Sequence, residues 1–159
     1  KGHLLCSTCL DDIDKNPKFS HKLNFIAEMT KHFSQQQPSR SILVGDLNIA
    51  PLAEDVWSTR QLRNTVSHTA IERENLLALV EQGGWTDSVR AYFGPKEVLF
   101  SWWSYRARDW VTTNRGRRLD HIWVSRDLAS KVEAVTIEST MRGAEKPSDH
   151  VPLTITLQP

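Results

Sequence analysis

Three short polar clusters hold the side chains of this sequence that could do chemistry together. They are Gly45-Asp46-Leu47-Asn48, Arg118-Leu119-Asp120-His121 and Ser148-Asp149-His150. Asp46, Asn48 and Asp149 offer hard oxygen ligands, which suit Mg²⁺ or Mn²⁺ better than zinc. His150 is the titratable group beside one of these carboxylates, and Asp120 could fix its tautomer by accepting a hydrogen bond. A metal, an oriented imidazole and a carboxylate that prepares water together predict phosphodiester hydrolysis.

Each cluster taken alone has a commoner explanation. Gly-Asp and Asp-Leu-Asn are typical turn sequences, and an aspartate after a strand often caps the next helix. A single Asp-His pair is more often a surface or capping pair than a catalytic one. Together the three clusters are stronger evidence for a functional site, because all of them lie at the ends of predicted strands. A rigid sheet can hold functional groups in place there.

The elements that must position these clusters predict a layered α/β fold. Asn16-Pro17 suits a helix cap, and apolar residues then recur at helical spacing, which predicts a helix over residues 17–33. Residues 41–44 predict a buried strand that ends at Gly45-Asp46. Residues 71–82 predict a second helix, ended by a Gly-Gly pair. Three more strands are predicted, over residues 118–125, 132–140 and 151–157.

Composition and charge narrow the class of protein. The 159 residues fit one domain, and the formal net charge of +1 means that a polyanion must be held by a local patch or a metal. The sequence has no apolar run near the roughly 20 residues that cross a bilayer, and its start does not resemble a signal peptide. We therefore expect a cytoplasmic location. Cys6 and Cys9 form one CxxC pair, which we interpret as incidental rather than as a zinc or redox site.

Four motifs, in this order along the chain, strongly resemble the exonuclease III family of apurinic/apyrimidinic endonucleases. They are Gly45-Asp46-Leu47-Asn48-Ile49-Ala50-Pro51, Phe100-Ser101-Trp102-Trp103-Ser104-Tyr105-Arg106, Asn114-Arg115-Gly116-Arg117-Arg118-Leu119-Asp120-His121-Ile122 and Glu145-Lys146-Pro147-Ser148-Asp149-His150-Val151-Pro152. The resemblance implies the endonuclease/exonuclease/phosphatase fold, two packed β-sheets flanked by helices (DNase I-like). This α/β chain would hold its C-terminal half, with residues 1–12 as an atypical N-terminal segment and residues 13–159 as the domain part.

The resemblance also implies a role for each polar residue. Asp46 would activate the hydrolytic water, and Asn48 would contact the scissile phosphate or metal. Asp120 would orient the catalytic His150. Metal binding would fall to Asp46, Asn48 and Asp149. The implied cofactor is Mg²⁺, with Mn²⁺ as an alternative.

The implied substrate is duplex DNA with abasic or 3′-blocked sites. Trp102 and Leu119 fall where the family builds an apolar pocket for a flipped, baseless sugar, which is small and easily unstacked. The alternative for Trp102 and its neighbour Trp103 is core packing, and for Trp103 we favour it. The arginines around these aromatics suggest contact with DNA phosphates, rather than a solvated loop whose arginines pair with acids. They are Arg106, Arg108, Arg115, Arg117 and Arg118.

The family's N-terminal half, with its asparagine, glutamate metal ligand and tyrosine, has no counterpart in these 159 residues. A frameshift, a misplaced start or a split gene would each give this appearance. Half of a two-sheet sandwich should expose an apolar sheet face, which would favour self-association or binding of the missing half. We therefore expect this chain alone to be inactive or very weak.

Three functions compete. The first is an apurinic/apyrimidinic endonuclease with 3′-to-5′ exonuclease activity. A phosphodiesterase for inositol phosphates or sphingomyelin would share Gly-Asp-x-Asn and Ser-Asp-His, but not the Arg-Leu-Asp region with Trp102. The third is a non-catalytic remnant, or half of a split protein, that binds DNA or a partner chain.

Overall fold

The computed structural model describes residues 16–107 and 109–159, in a mixed α/β arrangement. Cys6, Cys9, Arg108 and the proposed segment 1–12 lie outside the described residues. The helices are α1 (Pro17–Gln35), α2 (Thr59–Leu62), α3 (Ala70–Gln82), α4 (Ser88–Phe93) and α5 (Trp110–Thr113). The strands are β1 (Ile42–Asp46), β2 (Trp85–Asp87), β3 (Trp102–Trp103), β4 (Gly116–Arg117), β5 (Asp120–Ser125), β6 (Val132–Ile137) and β7 (Leu153–Leu157). In the described residues, no helix combines the length and apolar character needed to span a membrane.

Two long helices form a layer over the first sheet. Helix α1 begins where predicted, because the Asn16 side chain accepts a hydrogen bond from the Lys18 N–H and proline occupies the first turn. Helix α3 begins with a capping box in which Thr69 and Glu72 satisfy each other's backbone N–H groups. The two helices pack on β2 and β5 around one apolar cluster. Its buried members are Ile26, Ile49, Leu76, Leu79, Trp85 and Trp123.

The first sheet has the antiparallel order β1-β5-β2. Its register places Leu43 opposite Trp123, and both belong to the cluster under the helices. Because side chains alternate along a strand, Asp46 and Asp120 share the other face, at the end of the sheet. This register is what brings the first two polar clusters together.

Strand β1 is not the buried strand that residues 41–44 predicted. Ile42 is 46% exposed and Val44 is 66% exposed, while only Leu43 between them packs under the helices. Within the described residues β1 is an edge strand, paired with β5 alone. The apolar run predicted burial on both faces, but burial depends on neighbours that lie far away in sequence.

The other two sheets are small antiparallel pairs, β3-β4 and β6-β7. Strand β6 stops at Ile137 instead of continuing to residue 140, because Ser139–Gly143 forms a 3₁₀ turn. Strand β7 begins two residues later than predicted. The backbone of Val151 bonds instead to Ser101, which ties the Ser-Asp-His segment to the start of β3.

Candidate active site

Three side chains from the three polar clusters meet at the end of the first sheet. Asp46 ends β1, Asp120 begins β5 opposite it, and His150 reaches them from the segment before β7. His150 Nδ1 lies 2.8 Å from Asp120 Oδ2, and His150 Nε2 lies 3.8 Å from Asp46 Oδ2. The hydrogen bond predicted between Asp120 and His150 is therefore present.

The histidine is oriented from two sides. Its backbone N–H donates to the Ser148 hydroxyl, and its backbone pairs with Trp102 in an isolated β-bridge. Asp120 accepts the ring Nδ1–H, which leaves Nε2 directed toward Asp46. Burial by itself would lower the pKa of His150, but the hydrogen bond and charge of Asp120, with the charges of Asp46 and Asp149, raise it above its usual value. The site therefore favours the imidazolium form more than water does for a free histidine.

Asp46 and Asn48 form one local unit. Asp46 Oδ1 accepts a hydrogen bond from the Asn48 N–H at 2.8 Å, and Asn48 adopts a left-handed conformation with φ of 53°. Both side chains are exposed at the surface. With 38% of its side chain exposed, Asp46 is still partly desolvated, which raises its pKa; the Asn48 N–H partly offsets the rise, and the nearby charge of Asp120 adds to it. A carboxylate with a raised pKa is a better proton acceptor than an ordinary aspartate.

Asp149 is held beside the three-residue cluster, not within it. Its Oδ2 accepts a hydrogen bond from Trp102 Nε1 at 3.0 Å, and its carbonyl accepts one from the Trp103 N–H at 2.9 Å. Strand β3 thus fixes both the side chain and the backbone of Asp149. Its role as a metal ligand stays a prediction.

Trp102 and Leu119 lie in the same apolar cluster, and their role in lining a sugar pocket stays a prediction. Leu119 is buried in an apolar cluster with Ala50, Val56 and Leu62, and Trp102 packs against that cluster while half-buried. Trp103 instead belongs to the core with Phe100 and Val151, as we favoured from the sequence. The two adjacent tryptophans therefore have different surroundings.

The arginines of the predicted DNA-contact segment separate into distinct groups. Arg118 is fully buried, so its interpretation as a phosphate contact was wrong; it pairs with Asp55 and Asp87. Arg117 is half-buried, lies over the Trp102 ring at 5.4 Å and donates to Ser67 Oγ at 2.7 Å. Arg106 and Arg115 are exposed, and Arg115 lies 4.7 Å from the Trp57 ring.

Sequence reasoning missed a buried ionic network directly behind the site. Arg118 Nε donates to Asp55 Oδ1 at 2.6 Å, Arg118 Nη1 donates to Asp87 Oδ2 at 2.8 Å, and Arg90 pairs with Asp55. Burial opposes ionisation of Asp55, but the two guanidinium groups outweigh it and lower the pKa of this carboxyl. The network anchors the residue two positions before Asp120. Nothing local in the sequence separates Arg118 from the other arginines of its segment.

The helix start at Thr69 did have a sequence signal. Thr69-Ala70-Ile71-Glu72 is a capping-box pattern, which would have moved the predicted start of the second helix one residue earlier. It would also have identified Glu72 as a buried structural carboxylate instead of a solvated one.

The donors at the site fit a divalent cation. Among the described residues, Asp46, Asp120 and His150 each offer one ligand atom, and these atoms lie within 4.8 Å of one another. Asp120 already accepts a hydrogen bond from His150. The side chains that the sequence assigned to metal, Asp46, Asn48 and Asp149, offer carboxylate and amide oxygens, the donors that Mg²⁺ and Mn²⁺ prefer.

These features define a class: α/β domains in which two carboxylates and an aspartate-bound histidine lie at the end of an antiparallel sheet. Residues 23–150 match the Endonuclease/Exonuclease/phosphatase family, and the chain belongs to that family.

Relatives and solved structures agree with the exonuclease III resemblance. The chain is 32% identical over 143 residues to the exodeoxyribonuclease III of Haemophilus influenzae, covering 86% of this chain and 53% of that protein. An AP endonuclease from Archaeoglobus fulgidus superimposes with a TM-score of 0.82 at 29% identity, covering 90% of this chain and 56% of the other. A 3′ phosphatase from Neisseria, solved bound to a product DNA hairpin, gives 0.81 at 29% identity, covering 90% and 55%. The DNase I-like fold is thus confirmed, and the chain spans about half the length of the curated relatives it matches.

Proposed function

We propose that this chain carries the catalytic centre of a divalent-metal-dependent DNA repair nuclease of the exonuclease III type. Its substrate would be duplex DNA with an abasic or 3′-blocked site, and its reaction the hydrolysis of a phosphodiester. The observation that carries the proposal is the arrangement of Asp46, His150 and Asp120 at one sheet end, with His150 Nδ1 bonded to Asp120 and Nε2 facing Asp46.

We assign the catalytic roles as follows. Asp46, which lies 3.8 Å from His150 Nε2, takes a proton from water as the water oxygen bonds to phosphorus and the bond to the leaving oxygen breaks. His150, held as an imidazolium by Asp120, donates a hydrogen bond to a phosphate oxygen as negative charge grows there. A bound divalent cation would add positive charge at the phosphate. Asp46, Asn48 and Asp149 are the residues we propose to hold it.

Recognition would come from the surface beside this centre. Trp102, half-buried against the Leu119 cluster, offers an apolar wall to a sugar that lacks its base. Arg117 lies over Trp102, and Arg106 follows β3 at the surface, so both can reach backbone phosphates. A net charge of +1 gives little general attraction to DNA, which makes such local contacts more important.

We further propose that full activity needs a complementary polypeptide. The chain spans about half the length of its curated relatives, and Ile42 and Val44 on β1 are exposed. A complementary segment that covered this face would stiffen the strand that ends at Asp46. Rigid placement matters, because a shift of about 1 Å at a catalytic group can slow a reaction on the order of a hundredfold. The same apolar face would also allow self-association.

The test is a cleavage assay on a labelled duplex that carries one abasic site, with and without Mg²⁺. The undamaged duplex and a duplex with a 3′-phosphate are the controls for substrate choice. The chain is assayed alone and with a complementary N-terminal segment taken from a relative. Metal-dependent incision at the abasic site that His150→Ala abolishes supports the proposal. Binding of DNA with no cleavage under any condition would reject it in favour of a non-catalytic DNA-binding role.

A further inference from the structure

The loop that follows Asp46 is held at three consecutive backbone carbonyls. Lys22 Nζ on α1 donates to the Asn48 carbonyl at 3.3 Å. His121 Nε2 on β5 lies 2.9 Å from the Ile49 carbonyl. His68 Nδ1, just before α3, lies 2.7 Å from the Ala50 carbonyl. Three separate elements thus contact one short loop.

This loop needs such support because of its backbone conformation. Asn48 has a φ of 53°, in the left-handed region that few non-glycine residues adopt and that asparagine enters more often than most. Such conformations persist where the surroundings fix them. The direction of the Asn48 side chain depends on that φ, and the Asn48 N–H is the donor that holds Asp46 Oδ1. A relaxed loop would move both proposed metal-binding groups.

The three donors are themselves fixed. His121 Nδ1 lies 3.4 Å from Arg118 Nη1, an arrangement in which Nδ1 accepts and Nε2 carries the proton toward Ile49. His68 Nε2 lies 3.2 Å from Thr59 Oγ1. Lys22 pairs with the buried Glu72. Both histidines are buried, which keeps them from contacting DNA directly.

We infer that Lys22, His68 and His121 are positioning residues that hold Asn48 in its left-handed conformation and, through its N–H, orient Asp46. Their effect on catalysis rests on the proposed function. Their effect on the conformation of Asn48 does not, and it can be measured separately.

Matched substitutions separate positioning from simple packing. His121→Gln keeps an amide N–H near the place of Nε2, while His121→Met fills similar space without a donor. His68→Asn and His68→Leu form the same kind of pair for Nδ1. Lys22→Met is the variant at a partly exposed site, and the Glu72 carboxylate that it leaves keeps the hydrogen bonds from the Ser67 and Thr69 N–H groups and from the Thr69 hydroxyl. Ser88→Ala is the control, because it removes another buried hydrogen bond, from Ser88 Oγ to the Ile122 carbonyl, that none of the three loop carbonyls accepts.

The experiment records the backbone ¹³C shifts of Asn48 and the Mn²⁺ affinity of the 159-residue chain, with the midpoint of thermal unfolding beside them. We expect His121→Met, His68→Leu and Lys22→Met to move the Asn48 shifts away from left-handed values and to weaken Mn²⁺ binding about tenfold. His121→Gln and His68→Asn should restore both, and Ser88→Ala should lower the midpoint alone.

Wild-type Asn48 shifts in Lys22→Met and in every folded donor-free histidine variant would overturn the inference. Shifts that move equally in the donor-keeping and donor-free variants would do so as well, because only volume would then matter. If the wild-type chain neither binds Mn²⁺ nor cleaves DNA while the Asn48 shifts respond as expected, the proposed function fails and the positioning role stands.

Discussion

Asp46 lies directly opposite Asp120 across the antiparallel strands β1 and β5, so two carboxylates share one face at the end of the sheet. Their environments differ: Asp120 accepts the hydrogen bond of His150, whereas Asp46 accepts a backbone N–H from its own loop and keeps an exposed side chain. The negative charge of Asp120 adds to the rise in the pKa of Asp46. This difference is why we propose Asp120 as the orienting carboxylate and Asp46 as the proton acceptor.

Asp120→Asn should reduce catalysis far more than stability. The amide is uncharged and cannot stabilise the imidazolium, so we expect abasic-site cleavage to fall about 10- to 100-fold with little change in the unfolding midpoint. The assay uses the chain with its complementary segment. Asp127→Asn is the matched control, because Asp127 is an exposed carboxylate that bonds to Ser39 and Arg40, away from the site. Unchanged cleavage by the Asp120 variant would remove this residue from the mechanism.

The Arg118→Met variant should unfold more easily than the wild-type chain, and the salt dependence of its DNA binding should not change. It leaves two acidic side chains, Asp55 and Asp87, short of a partner, and breaking a buried pair costs about 3 kcal/mol or more. Guanidinium unfolding measures this loss. The exposed Arg115 gives the control: Arg115→Met should change stability by less than about 0.5 kcal/mol. A reduced salt slope in the Arg118 variant would instead mean that this arginine contacts phosphate.

Substitutions of the two adjacent tryptophans should have different effects. Trp103→Ala removes a core side chain and should destabilise the fold by about 3–5 kcal/mol. Trp102→Ala should be milder for stability but should weaken the preference for abasic over intact duplex, because it removes the proposed apolar wall. Binding titrations with both duplexes, together with unfolding curves, separate the two effects. Equal loss of affinity for both duplexes in the Trp102 variant would argue against a pocket for the baseless sugar.

Much of this site could be predicted from the sequence, because short stretches of sequence around each residue carry the signals for it. Asp46 and Asp120 each sit where an apolar strand meets polar residues, and strand ends are where a sheet positions side chains. The order of the motifs then predicted the family and suggested the role that we propose for His150. The Asp120–His150 hydrogen bond followed from chemistry, since an imidazole in such a site needs an acceptor behind it.

The parts that sequence did not predict depend on distant neighbours. Arg118 is buried only because Asp55 and Asp87 arrive from other segments, and its own neighbours are arginines and a leucine. His121 follows Asp120 directly but points to the opposite face, toward the Ile49 carbonyl. Val44 has the pattern of a core residue, yet 66% of it is exposed. Local apolar character predicts the element but not what covers it.

The free energy of unfolding should decrease as the pH is lowered, because of His121. Burial lowers the pKa of this histidine to about 4, with the charge of Arg118 adding to the effect, whereas an unfolded histidine has a value near 6.5. As the pH falls, the unfolded chain therefore binds a proton at this histidine before the folded chain does. The contribution of His121 to the free energy of unfolding is complete above about pH 6.5. It is lost between about pH 6.5 and about pH 4, and the total loss is roughly 3 kcal/mol. Unfolding free energies across this range measure it. His121→Gln, which cannot titrate, should show a shallower slope, and an unchanged slope would assign the acid sensitivity elsewhere.

The exposed face of β1 should be the surface through which the chain binds a second copy of itself or the complementary segment. Val44→Lys places a charge on an edge strand, where lysine opposes pairing with another chain. We expect sedimentation of the 159-residue chain to show less self-association, while the stability of the monomer changes little because Val44 makes few buried contacts. Val111→Lys is the matched control, since Val111 is 68% exposed but lies on α5, away from the sheet face. The same Val44 variant should also bind the complementary segment less well and lose the cleavage that the segment supports. Equal self-association and equal complementation by the two lysine variants would show that the β1 face is not the contact surface.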